Sequence, residues 1–340
     1  MITGSTPPTS KTEYYDNGEF LWASPADLGN VKDVISTKTK LSQQGFDKCR
    51  KIPAHSILVT CIGSTIGKMG MATTEMATNQ QINSIIPIDC NPDYVYYSIQ
   101  SRFPKYITSI ATQAVPILSK SVFESLDSYK TSIEEQNKIG KLFHLLDERI
   151  DAQSKIIEEQ ETLLRSLRHK LFNQCLDSHT QCRIGDILSI GSGKDYQHLR
   201  EGEIPVYGTG GLISHVYESL YDGESVCIGR KGTINKPLYL SGRFWTVDTL
   251  FYTHSFNGIL PRFCYHLFCT IDWLTYNEAS GVPSLSKSTI EKILVSIPHI
   301  DIQKRIVQIL DSIEEKINID RNTLLDYKKQ KMYLLSRMFI

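Results

Sequence analysis

Cys264, His266 and Cys269 are the closest this sequence comes to a metal-binding cluster. Structural zinc sites take thiolates and imidazoles in pairs at short spacings, and neither a second pair nor any C-x-x-C occurs. The cysteines (Cys49, Cys61, Cys90, Cys175, Cys182, Cys227, Cys264 and Cys269) follow no regular spacing and read as reduced thiols in a cytosol. Gly191-Ser192-Gly193-Lys194 looks like a phosphate loop, but Leu188 replaces its first glycine and Asp195 its closing Ser/Thr. Basic and amide side chains are more promising. Arg230, Lys231, Lys236 and Arg243 fall between Ile228 and Arg243 with no acidic residue among them. Lys38, Lys40, Lys48, Arg50 and Lys51 share a stretch with a single acid, Asp47. Such patches contact phosphates, while amides such as Asn79, Gln80, Gln81 and Asn235 can pair with base edges.

Asn91-Pro92-Asp93-Tyr94 resembles the Asn/Asp-Pro-Pro-Tyr/Phe signature of amino-methyltransferases, but Asp holds the third position and no glycine-rich methyl-donor loop follows a strand. Nucleophile-elbow and H-E-x-x-H motifs are absent from the sequence, so no covalent chemistry is expected of this chain alone. Its 340 residues call for more than one core. With 41% hydrophobic and 22% charged residues the composition is that of a soluble globular protein. Lys plus Arg and Asp plus Glu both number 37, so any basic surface must be local. No run approaches the length of a membrane span, and the first eleven residues hold no apolar core segment.

The elements that position these side chains come as a repeat. Residues 114–172 align without a gap on 281–339, an offset of 167, with 14 identities over 59 residues. Val115-Pro116-Ile117-Leu118-Ser119-Lys120-Ser121 matches Val282-Pro283-Ser284-Leu285-Ser286-Lys287-Ser288, and Gln136 matches Gln303. Weaker echoes lie upstream: Gly18-Glu19 with Gly202-Glu203, Cys61-Ile62-Gly63 with Cys227-Ile228-Gly229, Thr78 with Thr246, and Pro92, Tyr94 and Tyr96 with Pro261, Phe263 and Tyr265. Cys264, His266 and Cys269 then correspond to Val95, Tyr97 and Gln100, which favours packing over zinc.

Each copy ends in a long helical pattern. Phe143, Leu146, Ile150, Gln153, Ile157, Gln160, Leu164, Leu167 and Leu171 recur at steps of three and four, the a/d spacing of a coiled-coil seam. In the second copy the seam is Leu310, Ile313, Ile317, Asp320, Leu324, Tyr327, Lys331, Leu334 and Met338. Gln153, Gln160, Asp320 and Lys331 interrupt the apolar stripe, as register-fixing residues do and as ordinary imperfect amphipathicity also does. The spacing predicts a helix over 134–172 that packs antiparallel on its repeat, with the globular parts held apart. Those parts read as mixed α+β: strands at Ser56–Cys61 and Ser225–Ile228, glycine-rich hairpins at 63–68 and 229–236, a tight loop at 207–211, and short helices after Pro92 and Pro261.

Taken as a set, these pieces resemble the DNA-specificity (S) subunit of Type I restriction-modification enzymes over nearly the whole chain. Carrying the resemblance are Gly4-Ser5-Thr6-Pro7, residues 17–22, Ile66-Gly67-Lys68, Thr78-Asn79-Gln80-Gln81, residues 205–211, 229–234 and 245–250, both Val-Pro-x-Leu-Ser-Lys-Ser segments and the long helices. The resemblance implies an α+β architecture with an internal pseudo-twofold repeat: target-recognition domains at 1–131 and 177–298, separated by helical spacers at 132–176 and 299–340 that form an antiparallel coiled coil. It implies readout of a bipartite, asymmetric site on double-stranded DNA. The expected DNA-facing residues are Lys68, Asn79, Gln80, Gln81, Thr209, Arg230, Lys231, Thr233, Asn235 and Lys236; the expected helix-packing residues are Leu146, Ile150, Ile157, Leu164, Leu167, Leu171, Ile313, Ile317, Leu324 and Leu334. Implied partners are two modification subunits, which bind S-adenosylmethionine and methylate adenine N6, and restriction subunits that use ATP and Mg²⁺. This chain would bind none of these cofactors and no metal, and would work in the cytoplasm. The second copy opens with Arg183-Ile184-Gly185-Asp186-Ile187-Leu188, the family's usual domain start, whereas the first begins past that point, so its amino end reads as shortened. Competing readings are a coiled-coil assembly protein without DNA readout and a stand-alone adenine methyltransferase acting through residues 91–94.

Overall fold

The computed structural model describes residues 1–29, 31–108, 116–174 and 180–339; Ala114 and Val115 of the first repeated segment, and Cys175, lie outside them. The chain divides into two compact units, Met1–Ser154 with Asn322–Ile340, and Lys155–Arg321. That division runs through the long helices, not at the expected boundaries near their ends. No helix among the described residues is long and apolar enough to cross a membrane.

The first unit opens with β1 (Ile2–Thr3), β2 (Phe20–Ala23), β3 (Asp33–Val34), β4 (Thr39–Leu41), the short α1 (Gln43–Asp47), β5 (Lys51–Ile52), β6 (Ile57–Thr60), β7 (Met69–Ala72), β8 (Met76–Thr78) and β9 (Ile82–Ile85). They form a five-stranded sheet in the order β1-β9-β6-β7-β3 and a four-stranded sheet in the order β4-β2-β8-β5. The Ile-Leu-Val-Thr run of β6 is buried throughout, which suits its place between two neighbours. Next come α2 (Pro92–Thr108), α3 (Lys120–Glu124) and the 42-residue α4 (Ile133–Gln174).

The second unit adds β10 (Thr180–Arg183), α5 (Ile184–Ile187), β11 (Ser189–Ser192), β12 (Ile204–Gly208), β13 (Gly211–Val216), β14 (Tyr221–Asp222), β15 (Ser225–Gly229), β16 (Leu238–Leu240), β17 (Arg243–Thr246) and β18 (Leu250–His254), then α6 (Pro261–Phe268), α7 (Lys287–Lys292), β19 (Leu294–Ile297) and the 39-residue α8 (Ile300–Met338). Its sheets run β11-β18-β15-β16, β13-β12-β17-β14 and β10-β19. The parallel pair β2/β8 of the first unit returns as β12/β17 in the second.

Matching hydrogen bonds fix the equivalence of the copies. Gly4 N donates to Ile82 O and Gly193 N to Leu250 O; Ser5 N donates to Thr78 O and Lys194 N to Thr246 O. Gly63 N donates to Pro116 O and Gly232 N to Pro283 O, while Leu118 N reaches Cys61 O and Leu285 N reaches Arg230 O. One expectation is thereby corrected: Cys61-Ile62-Gly63 is equivalent to Arg230-Lys231-Gly232, not to Cys227-Ile228-Gly229. Cys227 lies inside β15, whereas Cys61 follows the end of β6, so the shared triplet sits three residues out of register.

The repeated identities are structural. Leu118 and Leu285 are buried anchors. Ser119 and Ser286 cap α3 and α7, accepting from Val122 N and Thr289 N at 3.3 and 3.2 Å. Gln136 is 1% exposed and Gln303 is 0%. Gln136 Oε1 accepts from Asn91 N and its Nε2 donates to Thr131 O; Gln303 Oε1 accepts from Leu260 N and its Nε2 donates to Pro298 O and Gly258 O. Each glutamine thus latches the start of α2 or α6 to a long helix.

Within each unit α4 and α8 run antiparallel. Every seam residue of both helices is buried or half-buried. In the first unit Phe143 stacks on Phe339, 5.8 Å between centroids, and Phe339 lies against Tyr94 of α2 at 5.4 Å. In the second unit Phe172 lies against Phe263 of α6 at 4.9 Å. Lys331 pairs with Asp147 in the first unit, and in the second Gln160 Nε2 donates to Asp320 Oδ2 at 2.9 Å, so Gln160, Asp320 and Lys331 each bond across between the long helices.

Candidate nucleic-acid interface

Each unit gathers its loops around one close backbone approach. Gly4 leaves no room for a Cβ against the Thr78 and Asn79 carbonyls, nor does Gly193 against Val247 O. A tryptophan fixes the loop that follows: Trp22 Nε1 of β2 donates to Ser5 O at 3.0 Å, and Trp245 Nε1 of β17 donates to Lys194 O at 2.8 Å. The two indoles stand on opposite members of the equivalent parallel pair yet make the same bond.

In the first unit these bonds bring Thr6, Asn79, Gln80, Gln81 and Gly63 together. Half-buried Asn79 accepts from Gln81 N through its Oδ1 at 2.7 Å and shapes the turn. The Thr6 hydroxyl donates to Gln80 Oε1, which orients that exposed amide. Gln81 Nε2 lies 3.7 Å from where a Gly63 Cβ would stand; Gly63 has φ +93°, a conformation that favours glycine. Lys68 is apart from this group, its stem against Gly29, lining a cavity of about 440 Å³ with Tyr96, Gln100 and Phe103. Of the five bases at 38–51, Lys51 is held by Asp47 at 2.7 Å, and Arg50 Nη1 donates to Thr3 O at 3.0 Å.

In the second unit Thr209 at the β12–β13 turn comes within 3.7 Å of where a Gly232 Cβ would stand. Arg230 N and Lys231 N both donate to Thr249 O, at 2.8 and 3.3 Å, which ties the basic loop to the turn after β17. Ile234 is 1% exposed and roots that loop. Thr233 is half-buried, while Arg230, Lys231, Asn235 and Lys236 are exposed. Thr209 and residues 230–236 therefore share one surface.

The one metal-like cluster among the described residues is committed to internal pairing. His266 is 0% exposed; its Nδ1 accepts from Arg168 Nε at 3.1 Å and its Nε2 donates to Asp311 Oδ1 at 2.8 Å. Both ring nitrogens are thus committed, and burial first, with the Arg168 charge, brings the imidazole down to about 4 against the opposing pull of Asp311. His266, Asp311 and Glu314 have ligand atoms within 4.8 Å of one another, but Arg262 and Arg168 already occupy the carboxylates. Burial raises the Cys264 thiol well above its usual range and pushes the Cys227 thiol up to about 12, so neither is a reactive thiolate.

The first unit answers this network in different residues. The Tyr97 hydroxyl donates to Asp147 Oδ2 at 2.7 Å, and Lys331 Nζ pairs with Asp147 while lying 5.2 Å from the Tyr97 ring centre. Asp147 is the repeat equivalent of Glu314, and Tyr97 that of His266. These bonds show a helix-docking role for α2 and α6 that residue spacing does not carry. The Gln136/Gln303 identity was the available signal for it.

The family model for the Type I restriction modification DNA specificity domain matches residues 1–162 and 179–326. The Type I restriction enzyme MjaIX specificity subunit of Methanocaldococcus jannaschii is 24% identical over 390 residues, covering 99% of this chain and 90% of that one. The EcoprrI specificity subunit of Escherichia coli is 22% identical over 355 residues, covering 94% and 86%. The crystal structure of a Type-I restriction-modification system S subunit from M. genitalium shares the fold, with a TM-score of 0.66 at 18% identity over 99% of this chain and 92% of that one. Matched in both of its copies, and with the fold in common, the chain belongs to the Type I restriction-modification DNA specificity family.

Proposed function

We propose that the chain reads a bipartite, asymmetric target on double-stranded DNA, each unit reading one half-site. The observation that carries this is one hydrogen-bonded frame built twice around different loop side chains: amides at 79–81 in the first unit, Arg230, Lys231, Asn235 and Lys236 in the second. The same frame positions a loop in the same way, and different side chains on it read different bases. Lys68, Thr209 and Thr233 complete the set of proposed DNA-facing residues.

A member of this family supplies target recognition to a restriction-modification complex and is not its catalytic component. Here the partners are two modification subunits, which bind S-adenosylmethionine and methylate adenine N6, and restriction subunits driven by ATP with Mg²⁺, all in the cytoplasm. Packing of Leu146, Ile150, Ile157, Leu164, Leu167 and Leu171 against Ile313, Ile317, Leu324 and Leu334 sets the unread spacer.

Mapping of N6-methyladenine by single-molecule sequencing, in cells carrying this chain with a modification subunit and in cells lacking the chain, tests the reading. A split, asymmetric motif that disappears with the chain is expected. A palindromic motif, or no motif beside a complex that co-purifies, overturns it.

A further inference from the structure

Lys287 belongs to the repeated Leu-Ser-Lys-Ser segment, and nothing so far gives its charge a task. The hydrogen bonds from Leu285 N to Arg230 O and from Gly232 N to Pro283 O, both 2.9 Å, lay this segment alongside the basic loop. Arg230, Lys231 and Lys287 then line one concavity of about 410 Å³ together with Ser192, Ser284 and Glu278. None of the three cations has an ion-pair partner within 4 Å among the described residues. Leu285, 3% exposed, and the Ser286 cap hold the wall that carries Lys287.

The acid in this concavity is occupied. Glu278 Oε1 accepts from Ser286 N at 3.2 Å, from Ser286 Oγ at 2.8 Å and from Thr289 Oγ1, and these bonds hold its carboxyl below the ordinary range. Three cations against one carboxylate leave the concavity positive. A guanidinium fork, two ammonium groups and the Ser192 and Ser284 hydroxyls suit the oxygens of a phosphodiester.

Among the described residues the first unit has no counterpart. Buried Cys61 and half-buried Ile62 stand where Arg230 and Lys231 do, and Lys120, the equivalent of Lys287, lies 3.6 Å from Glu124. Glu291 has the same four-residue spacing from Lys287 but packs beside Gly185. From this asymmetry we infer that Lys287 closes a backbone-phosphate clamp with Arg230 and Lys231, so that the second half-site is gripped electrostatically in a way the first is not. The inference rests on the DNA-recognition reading and adds to it a residue and a division of labour.

The test uses the chain assembled with its modification subunits on a duplex bearing the mapped target, with affinity followed against salt. Each lost phosphate contact lowers the log–log slope by about 1. Lys287→Ala is expected to lower it by about 1 with the methylated motif unchanged, Lys287→Arg to retain it, Arg230→Ala with Lys231→Ala to lower it by about 2, and Lys120→Ala to leave it unaltered. A wild-type slope in Lys287→Ala, with targeting and thermal stability intact, overturns the clamp and leaves the reading standing. Loss of slope in Lys120→Ala equal to that in Lys287→Ala overturns the asymmetry. Inorganic phosphate that binds in a Lys287-dependent way while the DNA slope stays unchanged shows a small-anion site instead. A wild-type complex that selects no target overturns both inference and reading.

Discussion

The two units build one frame from different parts. Where α2 docks on the long helices, a tyrosine hydroxyl and a lysine serve the carboxylate of Asp147; where α6 docks, Arg168 serves Glu314 and also the ring of His266. In each unit a carboxylate on one long helix is bonded by a cation from the other, and in the second unit Arg262 of α6 adds a further cation. The carboxylate lies on α4 in the first unit and on α8 in the second, as a twofold repeat requires. The difference teaches that the repeat preserves a pattern of burial and charge pairing, with residue identity free to change around it.

The largest expected effect comes from leaving a carboxylate without its cation. Lys331→Leu leaves Asp147 with the Tyr97 hydroxyl alone, and is expected to cost about 3 kcal/mol in urea unfolding. Arg168→Leu, which removes one bond to Glu314 and the donor to His266, should cost less, because Arg262 and the Tyr265 hydroxyl still bond Glu314; equal losses would break the distinction between the two networks.

Acid should separate the units next. His266 is held near 4 against an ordinary 6.5, so the unfolded chain takes up a proton that the folded unit refuses. Stability from this site is full above about pH 6.5 and is lost as the pH falls toward 4. Arg168 and Asp311 face the ring, and Tyr97 at the equivalent position carries no such proton. The urea midpoint of wild type should fall more steeply between pH 7 and 4.5 than that of His266→Gln; parallel curves would remove His266 from the account.

The glutamine latches come third. Gln303→Ala leaves Leu260 N and two carbonyls unpaired and Gln136→Ala leaves Asn91 N and one carbonyl, so each should cost about 1–3 kcal/mol by thermal unfolding, with Gln303 the larger. The caps are smallest. Ser119→Ala and Ser286→Ala are each expected to cost about 1 kcal/mol, with Ser286 the larger because its hydroxyl also bonds Glu278; a reversed order in melting temperature would show that Glu278 does not reinforce α7.

A good part of the candidate site was legible in the sequence. The glycine-rich loops, the hairpin turn at Thr209 and the exposed bases at 230–236 are where composition and spacing put them, since glycine runs and charges report directly on turns and solvent. The upstream register was not legible. Cys-Ile-Gly occurs in both copies, but in the second it belongs to the buried strand β15, and only the bonds from Gly63 and Gly232 to the prolines reveal the true match. Nor could a sequence tell that the Asn79 carbonyl shapes its own turn, that Thr6 orients Gln80, or that Lys51 is held by Asp47. Residue type shows what a side chain can bond to, and the partner is set by which loop folds beside it.

The sequence by itself determined the internal repeat, the apolar seam of the long helices and the mixed helix–strand character of each copy, because periodicity and repetition are one-dimensional properties that burial translates directly into structure. Tertiary structure alone decided which residues are equivalent between the copies, how the buried charges are paired, and that Lys287 stands beside Arg230 and Lys231. Those depend on hydrogen bonds between segments tens of residues apart, whose register no local pattern encodes.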